Sequence, residues 1–120
     1  MKLIGIGCSF TEGSGLTLDS NKSYEFNSLY REENCWLGQL AKLLNATAVN
    51  LGSPGGSNFY IAQRFGEYIN YEYPKESQPV LMCVGWTEIA RTSWWDEDRN
   101  GWFHSIRNWE DSFRHTGSLK

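Results

Sequence analysis

Short apolar runs alternate along the chain with apolar stripes of helical spacing. Lys2 to Gly7 and Pro79 to Gly85 are continuous apolar runs, and Thr47 to Leu51 is short and rich in β-prone residues. Continuous apolar runs are typical of parallel strands that helices cover on both faces. We therefore predict three strands, with Pro79 to Gly85 as the central one.

Helices are predicted between these strands, where apolar side chains recur three and four residues apart. Cys35 to Leu44 carries Trp and Leu on one face, with Asn34 as the predicted N-cap and Asn45 as the stop. A second helix is predicted from residue 57 or 58 to about residue 71, and Pro74 ends it.

Two further segments complete the pattern. Residues 13–33 are polar and aperiodic, which predicts a long loop. After a charged turn over residues 96–101, a third helix is predicted from four apolar residues at helical spacing: Trp102, Ile106, Trp109 and Phe113.

The alternation of strands and helices predicts an α/β fold with parallel strands and right-handed crossovers. The expected architecture is a three-layer α/β/α arrangement around a small parallel sheet, as in flavodoxin-like domains. The length of 120 residues suits a single domain over residues 1–120. Because parallel strands end at one edge of the sheet, the loops beginning at Cys8, Gly52 and Trp86 should meet where such folds bind ligands.

Composition narrows the possible partners. The net charge is -3 and the Lys and Arg residues are scattered, which disfavours binding to nucleic acid. No run approaches the roughly 18 apolar residues of a membrane-spanning helix. Aromatic residues make up 15% of the chain, more than a core of this size encloses. Exposed rings are therefore expected to line a groove or to contact a protein partner or a second copy of the chain.

Three cysteines, Cys8, Cys35 and Cys83, lie far apart in the sequence, and no C-x-x-C pair occurs. This odd number, without metal-binding spacing, predicts reduced thiols and a cytoplasmic location. The sequence leads us to expect neither a metal site nor a cofactor.

The three loops carry residue types that suit nucleophilic catalysis. A serine hydroxyl attacks poorly alone, and it needs a base to take its proton and donors to hold the developing oxyanion. The first loop offers Ser9 as the nucleophile. The other loops offer the Gly55 backbone, the Asn58 amide and Thr87 as oxyanion or substrate contacts. Arg91, beyond the third loop, is either a surface charge or a group that steers an anionic substrate.

Three strings of residues carry a resemblance to a known family. Gly7-Cys8-Ser9-Phe10-Thr11 resembles the first block of the SGNH (GDSL-type) hydrolases, usually Gly-Asp-Ser. Asn50 to Asn58 looks like the second block, and Gly85-Trp86-Thr87-Glu88 is similar to the third, usually Gly-x-Asn-Asp. The string Gly85-Trp86-Thr87 also looks like variants met in bacteriophage-encoded members, which would act in a bacterial host cytoplasm.

The resemblance implies a fold, a reaction and residue roles. The chain would correspond to the N-terminal portion of the SGNH fold and would hydrolyse an acyl or acetyl ester, including esters on a glycan. Ser9 would be the nucleophile and would donate its N–H to the oxyanion, with Gly55 as the second backbone donor. Thr87 stands where the oxyanion-hole Asn of the family is usual.

The chain departs from the family at its last block, an Asp-x-x-His string that does not occur here. The histidines are His104 and His115, and Asp111 precedes His115 by four residues, on one face if that segment is helical. His115 and Asp111 are therefore the candidate base and its partner, while an ordinary helical contact is the alternative. Three explanations stay open: a shortened piece of a larger protein, loss of the base, or a base from elsewhere.

Two other functions fit parts of the pattern. One is a catalytically inactive SGNH-like structural or interaction module, phage-encoded, whose exposed aromatic residues bind a partner. The other is a flavodoxin-like phosphate- or nucleotide-binding domain in which residues 8–15 hold an anion. Against the second, that loop has no Lys and the chain has no G-x-x-x-x-G-K-[ST] string.

Overall fold

Five strands and four α-helices build residues 1–106, the part of the chain that the computed structural model describes. In chain order they are β1 (Lys2–Gly7), α1 (Ser9–Glu12), α2 (Ser28–Asn34), α3 (Trp36–Leu44), β2 (Thr47–Gly52), α4 (Asn58–Glu67), β3 (Val80–Val84), β4 (Arg91–Asp96) and β5 (Gly101–Ile106). A π-helical turn over Tyr68–Glu72 and a 3₁₀ turn over Tyr73–Lys75 continue from α4. The predicted alternation of strands and helices is confirmed as far as β3.

The strands β1, β2 and β3 form a parallel sheet in the order β2-β1-β3. The chain is therefore an α/β domain with a small parallel sheet. Its central strand is β1, where Leu3, Ile4 and Ile6 are fully buried. The prediction that Pro79 to Gly85 is central is wrong, because β3 is an edge strand of the sheet formed within residues 1–106 and Leu81 is 42% exposed. An apolar run shows that a strand is buried in part, but not which strands it pairs with.

Side chains of β1 point alternately to two separate clusters of buried residues. Leu3 packs with Leu37 and Ala41 of α3, whereas Ile4 and Ile6 share a cluster with Ile61 of α4. Burial of this kind contributes about 1.5–3 kcal/mol for each large aliphatic side chain. The helices α3 and α4 therefore pack against the sheet through different side chains of β1.

The ends of α3 are set by local backbone conformation. Asn45 adopts the left-handed conformation with φ 49° and ends the helix, as predicted. The predicted N-cap, Asn34, is wrong: Asn34 ends α2, and its amide donates to the Tyr30 carbonyl oxygen over 2.9 Å. Extended Cys35 separates the two helices and caps α3.

The helix α4 begins as predicted, directly after Ser57. The Ser57 hydroxyl oxygen accepts from the Tyr60 N–H over 3.2 Å, as an N-cap serine does. None of the helices within residues 1–106 is long and apolar enough to cross a membrane.

The segment predicted as a long loop, residues 13–33, contains all of α2 except its last residue, Asn34, and it surrounds a buried arginine. Arg31 is 4% exposed; its Nε donates to Glu12 Oε1 over 3.1 Å, and its Nη1 to the Tyr24 carbonyl oxygen over 2.7 Å. The helix was missed because its buried residue is charged, which an apolar periodicity does not register.

The predicted third helix is wrong over its first part. Trp102 and Ile106 lie on β5, which pairs antiparallel with β4. Residues four apart share a face of a strand as well as of a helix, so their spacing did not distinguish the two. The rings of Trp102 and Tyr60 meet edge to face at 5.3 Å, so the hairpin packs beside α4. Trp109 and Phe113 lie outside the described residues.

Candidate functional site

The three loops that follow the parallel strands begin side by side. The Ser53 N–H donates to the Gly7 carbonyl oxygen over 2.9 Å, and the Gly85 N–H donates to the Ile6 carbonyl oxygen over 2.7 Å. These bonds continue the sheet by one step beyond the strand ends on both sides of β1. The loops therefore leave from the carboxyl edge of the sheet, as parallel topology requires.

Close backbone approaches hold the first loop against the second. A Cβ atom on Gly52 would lie 2.4 Å from the Glu12 backbone nitrogen, so only glycine fits there. Asn50 bridges the same approach: its Nδ2 donates to the Thr11 carbonyl oxygen over 2.7 Å, and its Oδ1 accepts from the Gly52 N–H over 2.9 Å. The position of the first loop is thus fixed by contacts with the backbone of the second.

Ser9 is the first residue of α1 and lies half-buried at this edge. Its helix is a single turn, which Gly13 ends in the left-handed conformation with φ 90°. Neighbouring Phe10 is 80% exposed, so the edge is open to solvent beside Ser9. Ser9 is therefore partly accessible to solvent at this edge.

Asn58 holds the third loop in place. Its Oδ1 accepts from the Thr87 N–H over 2.7 Å, and its Nδ2 donates to the Thr87 carbonyl oxygen over 3.0 Å. Both ends of the side-chain amide thus bind the backbone of one residue. Sequence reasoning proposed Asn58 as an oxyanion or substrate contact, and the structure adds that it positions Thr87.

Cys8 links Ser9 to Thr87. Burial raises the pKa of the Cys8 thiol, but the Phe10 N–H, the Thr87 side chain, the Arg91 charge and the Ser9 side chain lower it, and the net pKa lies below the ordinary value. These groups reach the Cys8 sulfur from the first loop, the third loop and β4. One residue of the first loop therefore brings together Ser9, Thr87 and Arg91.

Gly55 lies in the turn that starts the second loop. The Gly56 N–H donates to the Ser53 carbonyl oxygen over 3.0 Å, and Gly55 has φ 75°, a conformation that favours glycine. The turn leads directly into α4 through its cap, Ser57. Gly55 therefore lies three residues before Asn58, on the loop that holds Thr87.

The hairpin adds a contact that sequence reasoning missed. Ser93 of β4 is buried, and its Oγ accepts from the Ser57 N–H over 3.1 Å. The bond ties β4 to the N-terminal end of α4. No sequence signal marked this serine, because the segment around it was not recognised as a strand.

A base for Ser9 would be a carboxylate or a histidine, and the structure describes the positions of some of these residues. Glu12 is occupied, since its carboxylate oxygens accept from Arg31, from the Tyr24 hydroxyl and from Ser14 Oγ. His115 and Asp111 lie outside the described residues. His104 lies on β5 at the register position opposite Ser93.

Two cavities of the described region lie away from these loops. One of about 510 Å³ is lined by residues of α2, α3 and β2, and one of about 700 Å³ by residues that include Lys2, Leu51 and Tyr68. Neither is lined by Ser9, Gly55 or Thr87. The candidate site is thus separate from both.

A comparison with known protein families gives a match over most of the chain. Residues 18–116 match a family of unknown function, DUF6071. The chain belongs to this family. No curated protein matches the chain, and no solved structure does. The region shared with DUF6071 includes the second loop, the third loop and the hairpin, and it begins after Ser9.

Replacing Asn58 by alanine should lower the free energy of unfolding by about 1–3 kcal/mol, because two backbone groups of Thr87 lose their partners. Urea denaturation followed by circular dichroism measures the change. The matched control is Asn70→Ala. The exposed Asn70 amide donates to the Gly66 carbonyl oxygen, and its loss should change the free energy of unfolding by less than about 0.5 kcal/mol. Equal losses of unfolding free energy in the two variants would show that the contact of Asn58 with Thr87 does not stabilise the fold.

Proposed function

We propose that this DUF6071 member is a serine hydrolase of the SGNH type, with the three-layer α/β/α arrangement of that family, and that it cleaves acyl or acetyl esters. The observation that carries the proposal is the contact of Cys8 with Ser9 and Thr87 at the carboxyl edge of the parallel sheet. The proposed nucleophile and the proposed hydroxyl donor come from different loops, and the side chains of both interact with the Cys8 thiol. Esters on a glycan belong to the same substrate class.

The proposed reaction starts with attack of Ser9 Oγ on the ester carbonyl carbon. A base takes the hydroxyl proton, and the oxyanion accepts hydrogen bonds from the N–H groups of Ser9 and Gly55 and from the Thr87 hydroxyl. The ester C–O bond then breaks, and the alcohol leaves with the proton. Water hydrolyses the acyl-enzyme, which releases the acid and restores Ser9.

The first N–H groups of a helix have no partner within it, so the N–H of Ser9 is suited to an oxyanion. A Thr hydroxyl is shorter than the usual Asn amide, and the bonds from Asn58 compensate by fixing the Thr87 backbone. For the base we propose a histidine: His115 with Asp111, or His104.

A fluorophosphonate probe tests the proposal, since it forms a covalent bond with an activated serine. We expect labelling of the full chain, located on Ser9 by peptide mass spectrometry. The variants His104→Gln and His115→Gln identify the base, whose loss should lower the rate by about 10²–10⁴ fold. A folded protein that the probe does not label would contradict hydrolase activity.

One observation favours a second candidate, a non-catalytic interaction module. Phe10, Phe59 and Trp86 are 80%, 62% and 62% exposed, and each adjoins a residue of the candidate site. Such a ring-rich edge suits a protein partner or a second copy as well as an acyl group. Absence of labelling together with a concentration-dependent dimer in light scattering would support this candidate.

A further inference from the structure

The Arg91 side chain has buried nitrogen atoms without partners. Its Nε and Nη1 are shielded from solvent and form no hydrogen bond within the described part of the chain. Buried N–H groups of a guanidinium without hydrogen-bond partners are costly, because charged groups lose hydration on burial. This position thus differs from Arg31, whose charge is paired with Glu12.

Arg91 is held at the edge that carries Ser9. It is the first residue of β4, and its N–H donates to the Glu88 carbonyl oxygen over 3.2 Å. Ser93, two residues further on, shares its face of the strand and binds the start of α4. The positive charge of Arg91 also reaches the Cys8 thiol. Strand geometry and electrostatics thus agree on where the guanidinium lies.

We propose that Arg91 binds an anionic group of the ligand, a carboxylate or a phosphate, so that the site accepts a negatively charged ester. The identification of the ligand as an ester depends on the proposed hydrolase function, whereas the anion binding does not. A planar guanidinium can donate two N–H groups from one edge, Nε with Nη2 or Nη1 with Nη2, to two oxygens of the same anion.

The surroundings favour an anion over a neutral group. The N-terminal end of α4, which β4 contacts through Ser93, carries the positive end of the helix dipole. The Glu88 carbonyl oxygen accepts from the backbone N–H of Arg91 and not from its side chain. The ion pairs of the described residues do not include Arg91. An incoming oxyanion would therefore supply a partner that the Arg91 Nε and Nη1 do not find within residues 1–106.

Thermal unfolding of Ser9→Ala protein tests the binding without turnover. Inorganic phosphate and acetate are the probes, with sodium chloride at equal ionic strength as the reference. We expect a saturable rise in Tm with at least one probe, as a ligand that binds only the folded state produces. A rise no larger than that in chloride would overturn the proposal.

Variants of Arg91 test whether it is the ligand residue. Arg91→Gln should weaken binding by about 10- to 100-fold, while Arg91→Lys keeps the charge but loses the two-point contact and should fall in between. The matched control is Arg99→Gln on the exposed β4–β5 turn, which should bind as the parent does. If Arg91→Gln fails to fold, the affinity of Arg91→Lys is compared with that of the parent instead. Unchanged affinity in a folded Arg91 variant would overturn the proposal.

The substrate preference is tested in the chain with Ser9 intact. The ratio of kcat/KM for a carboxylated p-nitrophenyl ester to that for its neutral analogue should fall about 10- to 100-fold in Arg91→Gln. An unchanged ratio would contradict selection of a charged ester. Phosphate binding without serine labelling would refute the hydrolase but keep the anion site, and labelling without anion binding would refute only this inference.

Discussion

Replacement of Ser9 by alanine should reduce the hydrolysis of p-nitrophenyl acetate by about four orders of magnitude or more. The proposed reaction passes through a covalent bond to Ser9 Oγ, and no second hydroxyl of the first loop is equivalent. The nearest alternative, Thr11, is buried and faces Gly7 and Gly85. Initial rates of p-nitrophenol release, with matched protein concentrations, measure the effect.

The control for this prediction is Ser20→Ala, an exposed serine of the 13–27 segment, which should leave the rate unchanged. Circular dichroism of Ser9→Ala checks that the fold is kept, which we expect because Ser9 is only half-buried. A Ser9→Ala rate within tenfold of the parent would assign the hydrolysis to another residue and would end the proposal for Ser9.

Replacement of Gly52 by alanine should destabilise the domain by about 3 kcal/mol or more. A Cβ atom there would lie 2.4 Å from the Glu12 nitrogen and 2.9 Å from both the Glu12 Cα and the Thr11 carbonyl carbon. All three are backbone atoms, so a side-chain rotation cannot relieve the overlap. The first loop must move, and Ser9 moves with it, so activity should fall together with stability.

The control for Gly52 is Gly66→Ala within α4. A Cβ atom at Gly66 would contact nothing within 4 Å, and alanine in a helix is favoured over glycine by about 0.5–1 kcal/mol. The two substitutions should therefore change the free energy of unfolding in opposite directions, as urea denaturation measures. A loss of less than about 1 kcal/mol for Gly52→Ala would mean that the first loop adapts without cost.

Local sequence patterns predicted those elements whose ends are set within a few residues. The helix over 36–44 ends at Asn45, because a left-handed asparagine stops a helix wherever it occurs. The start of α4 follows from the Ser57 cap in the same way. Two positions of the candidate site, Ser9 and Thr87, were proposed because a loop rich in small polar residues follows each apolar strand.

Other elements were not predictable because the deciding contact is distant in sequence. The helix over 28–34 buries Arg31, which is stable only because Glu12 and Tyr24 accept from it. The hairpin of β4 and β5 was predicted in part as a helix, since its aromatic spacing suits both structures. The Ser93 contact with Ser57 spans 36 residues, and no local pattern contains it.

The sequence by itself determined three parallel-type strands, two of the helices and the presence of polar loops after each strand, because these depend on short-range periodicity and caps. Tertiary structure alone decided that β1 is central, that Asn58 holds Thr87, and that the Arg91 Nε and Nη1 are buried without a partner among residues 1–106. Each of these depends on which groups, distant in sequence, become neighbours when the chain folds. Hydrogen bonding and desolvation depend on these neighbours in space, so their effects cannot be read from the order of residues along the chain.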